Sequence, residues 1–385
     1  MLVGKKKIFL LSIALVSLAA AFIIFGTATA FAETDHGELE ELLEQSGVYG
    51  TADSLSPSTR ELMRELGMEE LSVEAMLALT PKSFMRLIMR LAVDALARPL
   101  KNSAALCAAA LLCAAAEGMK LRADEKTVSA VVGAVGSLCC CAAVAVPAGE
   151  VIGKVGEAIG ECADFRISFV PVYAGVAASG GQPAAAAAYN AALFGAAQVS
   201  GSLASDIVRP LAGIFLALAL IGAVAPSFGL TEIAGSVKKT VNWALGLIST
   251  VFVGVLGLQS TVSASADEVT MKAAKFAVSS TVPVVGGALS DAISSAAGYL
   301  GLLKSVTGVF GIVAGAAIFL PVIVELALWR LGMGIASVFA DAAGVPGIAR
   351  ASRAVGDVFD MLLALTLCLL LVVIVAIGIL LALRG

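Results

Sequence analysis

The side chains best placed to do chemistry in this chain are two carboxylates, Glu325 and Asp291. Glu325 lies near the end of an apolar run, just before Trp329 and Arg330. An ionisable group at membrane depth is unfavourable and by default marks an ion path, a proton relay or a counter-ion. Two readings stay open for Glu325: a coupling group, or an interfacial residue paired with Arg330 on the next turn. Asp291 follows the pair Gly286-Gly287 and is the stronger candidate for a polar group facing a pathway. It belongs to an irregular stretch, Asp267 to Ser295, which also holds Lys272, Lys275, the polar knot Ser279-Ser280-Thr281, and Pro283. Proline removes a backbone donor, and glycine admits conformations that other residues avoid. The stretch is therefore expected to form a helix, a break and a second helix. Broken backbone at membrane depth is tolerated only where protein or a water-filled cavity covers its free polar groups. A loop between two spans and a re-entrant hairpin lining a path both fit this pattern.

Other chemistries fail on residue type or spacing. The one histidine, His36, lies outside the apolar region, which excludes His-based metal or acid–base chemistry within the membrane. Seven cysteines, Cys107, Cys113, Cys139, Cys140, Cys141, Cys162 and Cys368, form no C-x-x-C pair. Most sit among Ala, Val and Leu, where a free thiol behaves as a small hydrophobe. The Cys139–Cys141 triplet makes a poor metal site, because consecutive side chains on a helix point in different directions. Gly301-Leu302-Leu303-Lys304-Ser305 lacks the glycine directly before lysine that a phosphate-binding loop requires. Ser179 has no histidine within the membrane region to activate it, and a serine without a base is a weak nucleophile. No catalytic residue, cofactor or metal is expected, and no basic tract suggests nucleic acid.

These few polar groups must be positioned by helices in lipid. The composition is 59% hydrophobic and 14% charged, with a mean hydropathy of +0.98, whereas soluble domains carry about 25% charged residues. The expected fold class is all-α, a polytopic membrane helix bundle of about six to eight spans, some of them re-entrant. Candidate spans are 103–117, 127–148, 167–181, 184–204, 208–228, 241–262, 306–328 and 359–383. The last is the clearest, since Met361 to Leu383 carries no charge. The earlier ones are built from Ala, Gly, Ser and Cys, while Leu, Ile, Phe and Val drive insertion. Rows of small residues, Gly156/Gly160 and Gly311/Gly315 among them, predict close helix packing or a homo-oligomeric interface.

Ahead of the membrane domain at 102–385 stand two further regions. Residues 1–32 read as an export signal or an uncleaved anchor: Lys5, Lys6 and Lys7, an apolar stretch from Ile8 to Phe25, and Ala30-Phe31-Ala32 before Glu33. Residues 33–101 read as a small, acid-rich helical region outside the cytoplasm. Its helices are signalled by a stop near Gly47, by Ser56-Pro57 with a stop at Gly67, and by Thr80-Pro81. On the third, Phe84, Leu87, Ile88, Leu91, Ala92, Ala95 and Leu96 share one face, as a helix packed on its neighbours or lying on anionic headgroups would.

The run from Lys275 to Asp291, KFAVSSTVPVVGGALSDA in its setting, resembles the signature of the stage III sporulation protein AE family of endospore-forming bacteria. The signal, the acidic N-terminal region and the small-residue membrane domain fit the same family. The resemblance implies a non-enzymatic membrane subunit of a secretion-like channel complex between mother cell and forespore, needed after engulfment. It implies residence in the mother-cell-derived outer forespore membrane. It also implies partners from the stage III sporulation A operon (an ATPase, ring-forming proteins and small membrane subunits) and a forespore membrane protein. No catalytic residue transfers with it; only Lys275 to Asp291 does, as a structural core. The alternative is an autonomous secondary transporter using Glu325 or Asp291 as coupling group, because broken helices near the midplane suit that mechanism too.

Overall fold

The computed structural model describes residues 36–68, 80–118, 125–202, 209–224 and 286–382, with 233, 235–241, 243–247, 250–252, 254–258, 267, 269 and 272. The expected export signal and most of the irregular stretch before Gly286, with Lys275, Ser279, Ser280 and Pro283, lie outside the described residues. Among those described there is no strand. Four short elements come first: α1 (His36–Ser46), α2 (Val48–Thr51), a 3-10 turn (Ala52–Ser54) and α3 (Pro57–Glu65). The bundle follows: α4 (Pro81–Gly118), α5 (Glu125–Ser179), α6 (Pro183–Ser202), α7 (Arg209–Val224), α8 (Gly235–Leu258), α9 (Gly286–Ala342) and α10 (Pro346–Ala382).

The helix starts follow their capping residues. The Ser56 hydroxyl accepts from the Thr59 N–H at 3.2 Å, with Pro57 as first helical residue. Thr80 and Ser83 cap each other: the Ser83 N–H donates to Thr80 Oγ1 at 3.3 Å, and the Thr80 N–H to Ser83 Oγ at 3.2 Å. This reciprocal arrangement satisfies two donors that the first turn leaves free. The α5–α6 and α9–α10 turns use one device. Gly181 (φ +87°) and Gly344 (φ +75°) are left-handed. The next residues donate back across the turn, Gln182 N–H to Ala177 O at 3.2 Å and Val345 N–H to Ala340 O at 2.9 Å. Pro183 and Pro346 then open the following helices. Left-handed glycine reverses the chain while the last carbonyls stay paired, and proline at a first position loses no hydrogen bond.

Among the described residues five helices are long and apolar enough to cross a membrane: Lys82–Ala116, Val135–Ser179, Gly235–Leu258, Leu300–Ala342 and Pro346–Ile379, with a shorter apolar helix at Pro210–Val224. The chain is an all-α, multi-pass membrane protein. Two expected spans, 127–148 and 167–181, lie on one helix, α5, the second running two residues past its end into the turn, because the charged residues between them do not interrupt the helix. The expected span 103–117 is the second half of α4, which runs through 101 without a stop. Helix α4 is apolar on two sides. Leu87 is buried and Phe84 and Leu91 partly so, while Met85, Met89, Val93, Leu96 and Leu100 form an exposed stripe.

Antiparallel packing of α9 on α5 and α10 forms the centre. A Cβ at Gly311 would meet Phe169 of α5 and Ile377 of α10, and one at Gly308 would meet Tyr173 and Leu381. One at Gly315 would meet Val373. The α9 row of small residues is thus a tight crossing, whereas Gly160 on α5 and Gly254 and Gly257 on α8 have open space at that position. Phe165, Phe169, Tyr173, Tyr189 and Phe310 are joined by successive ring contacts in the core, with Phe165 and Phe169 stacked at 5.1 Å.

Candidate functional site

At 1.5 Å per residue, α5 is about 82 Å long and α9 about 85 Å, while the hydrocarbon core of a bilayer is about 30 Å thick. Polar residues are gathered in a band along these long helices, about 16 Å deep on α5 from Glu150 to Glu161. Lys154 of α5 donates to both carboxylate oxygens of Glu325 on α9, at 2.8 and 2.7 Å. Arg330 of α9 donates to Asp360 of α10 at 2.7 Å. Lys238 of α8 donates to Asp360 at 3.1 Å and to Asp357 at 2.6 Å. Arg98 of α4 pairs with Glu150 of α5 at 3.3 Å. The N-terminal elements join there: the Ser56 N–H donates to Glu161 Oε1 at 2.8 Å, and Arg90 of α4 pairs with Glu65 of α3. Trp329 and Phe359 pack beside the pairs, their rings 5.8 Å apart.

This belt ties α4, α5, α8, α9 and α10 together. Cross-linking is its evident chemistry. A carboxylate held by an ammonium keeps its charge compensated in surroundings where a lone charge would be strongly unfavourable. Glu325 does not pair with Arg330, as one of the two sequence readings had it. Five residues on a helix separate side chains by about 140° around the axis, so the two face different neighbours. Nothing local in sequence marks Lys154, Lys238 and Asp360 as their partners; only the helix register does.

A second polar cluster lies at the α5–α6 turn. Asp267, 4% exposed, accepts from the Ala184 N–H with Oδ1 and from the Ala185 N–H with Oδ2, both at 2.9 Å. A carboxylate here meets both the free amides and the positive end of the α6 dipole. At the same turn Lys304 of α9 donates to Gln182 Oε1 at 2.8 Å. The irregular stretch therefore begins, at Asp267, on the turn to which α9 is fixed by Lys304. Gly286 and Gly287 open α9 and Asp291 lies in its second turn, so the expected second helix is the start of a helix 57 residues long. Asp267→Ala is expected to lower stability by about 2–3 kcal/mol, since it strands two buried amides. Asp267→Asn, which keeps one acceptor, should lose about half as much. Thermal unfolding of the purified chain in detergent checks both values.

Residues 65–383 match the family model described as stage III sporulation protein AE. Stage III sporulation protein AE of Bacillus subtilis (strain 168) is 27% identical over 161 residues, 42% of this chain and 40% of that protein. The chain thus aligns with less than half of that relative's length. No solved structure matches.

Proposed function

Because this chain belongs to the stage III sporulation protein AE family, we propose that it is a non-enzymatic membrane subunit of a channel complex joining mother cell and forespore. The family match over residues 65–383 carries the sporulation role. The finer role follows from what the resemblance implies together with the build of the bundle. Its partners are the ATPase, ring-forming and small membrane proteins of the stage III sporulation A operon, and a forespore membrane protein. Its place is the mother-cell-derived outer forespore membrane.

The physical support is a bundle held rigid by cross-linked charges, with apolar surface facing outward. The exposed stripe of α4, and Trp243, Leu247, Val251, Val255 and Leu258 on α8, suit lipid or neighbouring subunits. Energy for transport comes from the partner ATPase in this reading. The autonomous transporter is less well supported at Glu325, whose carboxylate Lys154 occupies; Asp291 is left as its coupling group. A clean deletion is expected to arrest spores after engulfment, with rescue by the full chain. Normal spores from the deletion strain would contradict the proposal.

A further inference from the structure

Helices α5 and α10 run parallel in a fixed register. Phe169 and Ile377 both face Gly311 of α9, and Tyr173 and Leu381 both face Gly308. Asp164 and Glu157, five and twelve residues before Phe169, are therefore level with Val372 and Leu365 of α10. Helix α10 carries no charge from Met361 to Leu383, a run of about 34 Å that matches the hydrocarbon core of about 30 Å. Val372 is the middle of that run, so Asp164 lies at mid-depth of the membrane and Glu157 about 10 Å from it.

At that depth the outer face of α5 is polar. From Glu150 to Ser179 its exposed residues are Glu150, Glu157, Asp164, Pro171, Gly175 and Ser179, with no large apolar side chain among them. The first four recur every seven residues and form one stripe along the helix. Among the described residues neither Glu157 nor Asp164 has an ion-pair partner. Between the two, Glu161 accepts from the Ser56 N–H, which holds α1, α2 and α3 against the same stretch. These short elements expose Glu41, Glu44, Asp53, Arg60 and Glu61. Helix α8 shows the reverse at the same level. Cys368 Sγ donates to the Leu245 carbonyl, and Lys238 to Asp357, so Leu247 and Val251 stand beside the stretch from Leu370 to Ile374, and both are exposed.

We infer that this face of α5, with α1–α3 beside it, lines a water-filled passage that reaches the middle of the membrane; its role as a conduit rests on the channel-complex reading. A carboxylate without a partner is strongly unfavourable in hydrocarbon, and ionisable groups at this depth face water or protein. Asp164 is too short to reach a headgroup about 15 Å away. The turns that join α1, α2 and α3 cannot lie against lipid either, because their free backbone groups would go unpaired. A protein cover would bury Glu157 and Asp164 with no cation from this chain to meet them. Water solvates the surface as it stands.

The passage is tested with the single variants Glu157→Cys, Asp164→Cys, Leu247→Cys and Val251→Cys in opened membranes of sporulating cells, treated with a charged methanethiosulfonate. Peptide masses separate each site from the native cysteines. Glu157→Cys and Asp164→Cys should react at least about a hundredfold faster than Leu247→Cys and Val251→Cys, because a thiol in lipid stays protonated and out of the reagent's reach. In the unaltered chain, which needs no variant to fold, a water-soluble carbodiimide with glycine ethyl ester should amidate Glu157 and Asp164. Rates at 157 and 164 no faster than at 247 and 251, or both carboxylates spared in the unaltered chain, would overturn the passage, whether lipid or a partner protein covers the face. Co-purification of the same chain judges the complex separately. Labelling without partners would keep the wet face and remove the complex, and partners without labelling would do the opposite.

Discussion

Alanine in place of Asp360 is expected to lower the stability of the folded chain by about 3 kcal/mol, the range for removing one partner of a buried ion pair. Asp360 is the shared carboxylate of two cations from two helices, Arg330 of α9 and Lys238 of α8. Its removal leaves Lys238 with Asp357 but strips Arg330 of its counter-ion. The Asp360 side chain is 27% exposed and Arg330 35%, so water softens the loss and places it near the lower end of that range. Asparagine at 360 keeps an acceptor without the charge and should lose about half. Arg330→Met combined with Asp360→Ala should recover about 1–2 kcal/mol relative to additive behaviour. Unfolding midpoints of Asp360→Ala, Asp360→Asn, Arg330→Met and the double variant in one detergent measure this directly, and strict additivity would remove Asp360 from the belt's energetic centre.

Gly311→Ala is expected to destabilise the chain by about 2 kcal/mol, although alanine is the better helix former by about 1 kcal/mol. The new methyl would sit 2.6 Å from Phe169 Cε1 and 3.0 Å from Ile377 Cδ1. The Phe169 ring cannot swing aside freely, because it stacks between Phe165 at 5.1 Å and Tyr173 at 5.3 Å. Overpacking of this kind forces the backbone or a ring stack to shift. Gly301, on the same helix, has open space at its Cβ position, so Gly301→Ala should be neutral or stabilising by up to about 1 kcal/mol. Opposite signs at the two positions would separate the crossing from the general effect of glycine in a helix; equal effects would deny the tight crossing.

Local chemistry made parts of this fold readable from the chain. Ser56-Pro57 and Thr80-Pro81 announce helix starts because cap and first residue act within one turn. Gly47 and Gly67 announce stops for the same reason, and both are left-handed. The apolar run of α10 is legible because insertion depends on summed hydropathy. The long course of α5 is not. Glu150, Lys154, Glu157, Glu161, Asp164 and Arg166 look like a polar link between two spans, yet the helix continues and Glu150, Lys154 and Glu161 find partners on other elements. Pairing across helices leaves no local mark. Asp267 was visible only as the first residue of an irregular stretch; its hold on the α6 amides depends on a fold that joins residues over eighty positions apart.

A subunit of a sporulation channel complex should co-purify with the rest of that complex. A tagged copy is solubilised from sporulating cells in a mild detergent that preserves other membrane assemblies. The expected result is recovery of the operon's ring-forming proteins and ATPase with the tagged chain. Recovery of the chain alone would contradict it and favour the autonomous transporter, with Asp291 the next residue to replace.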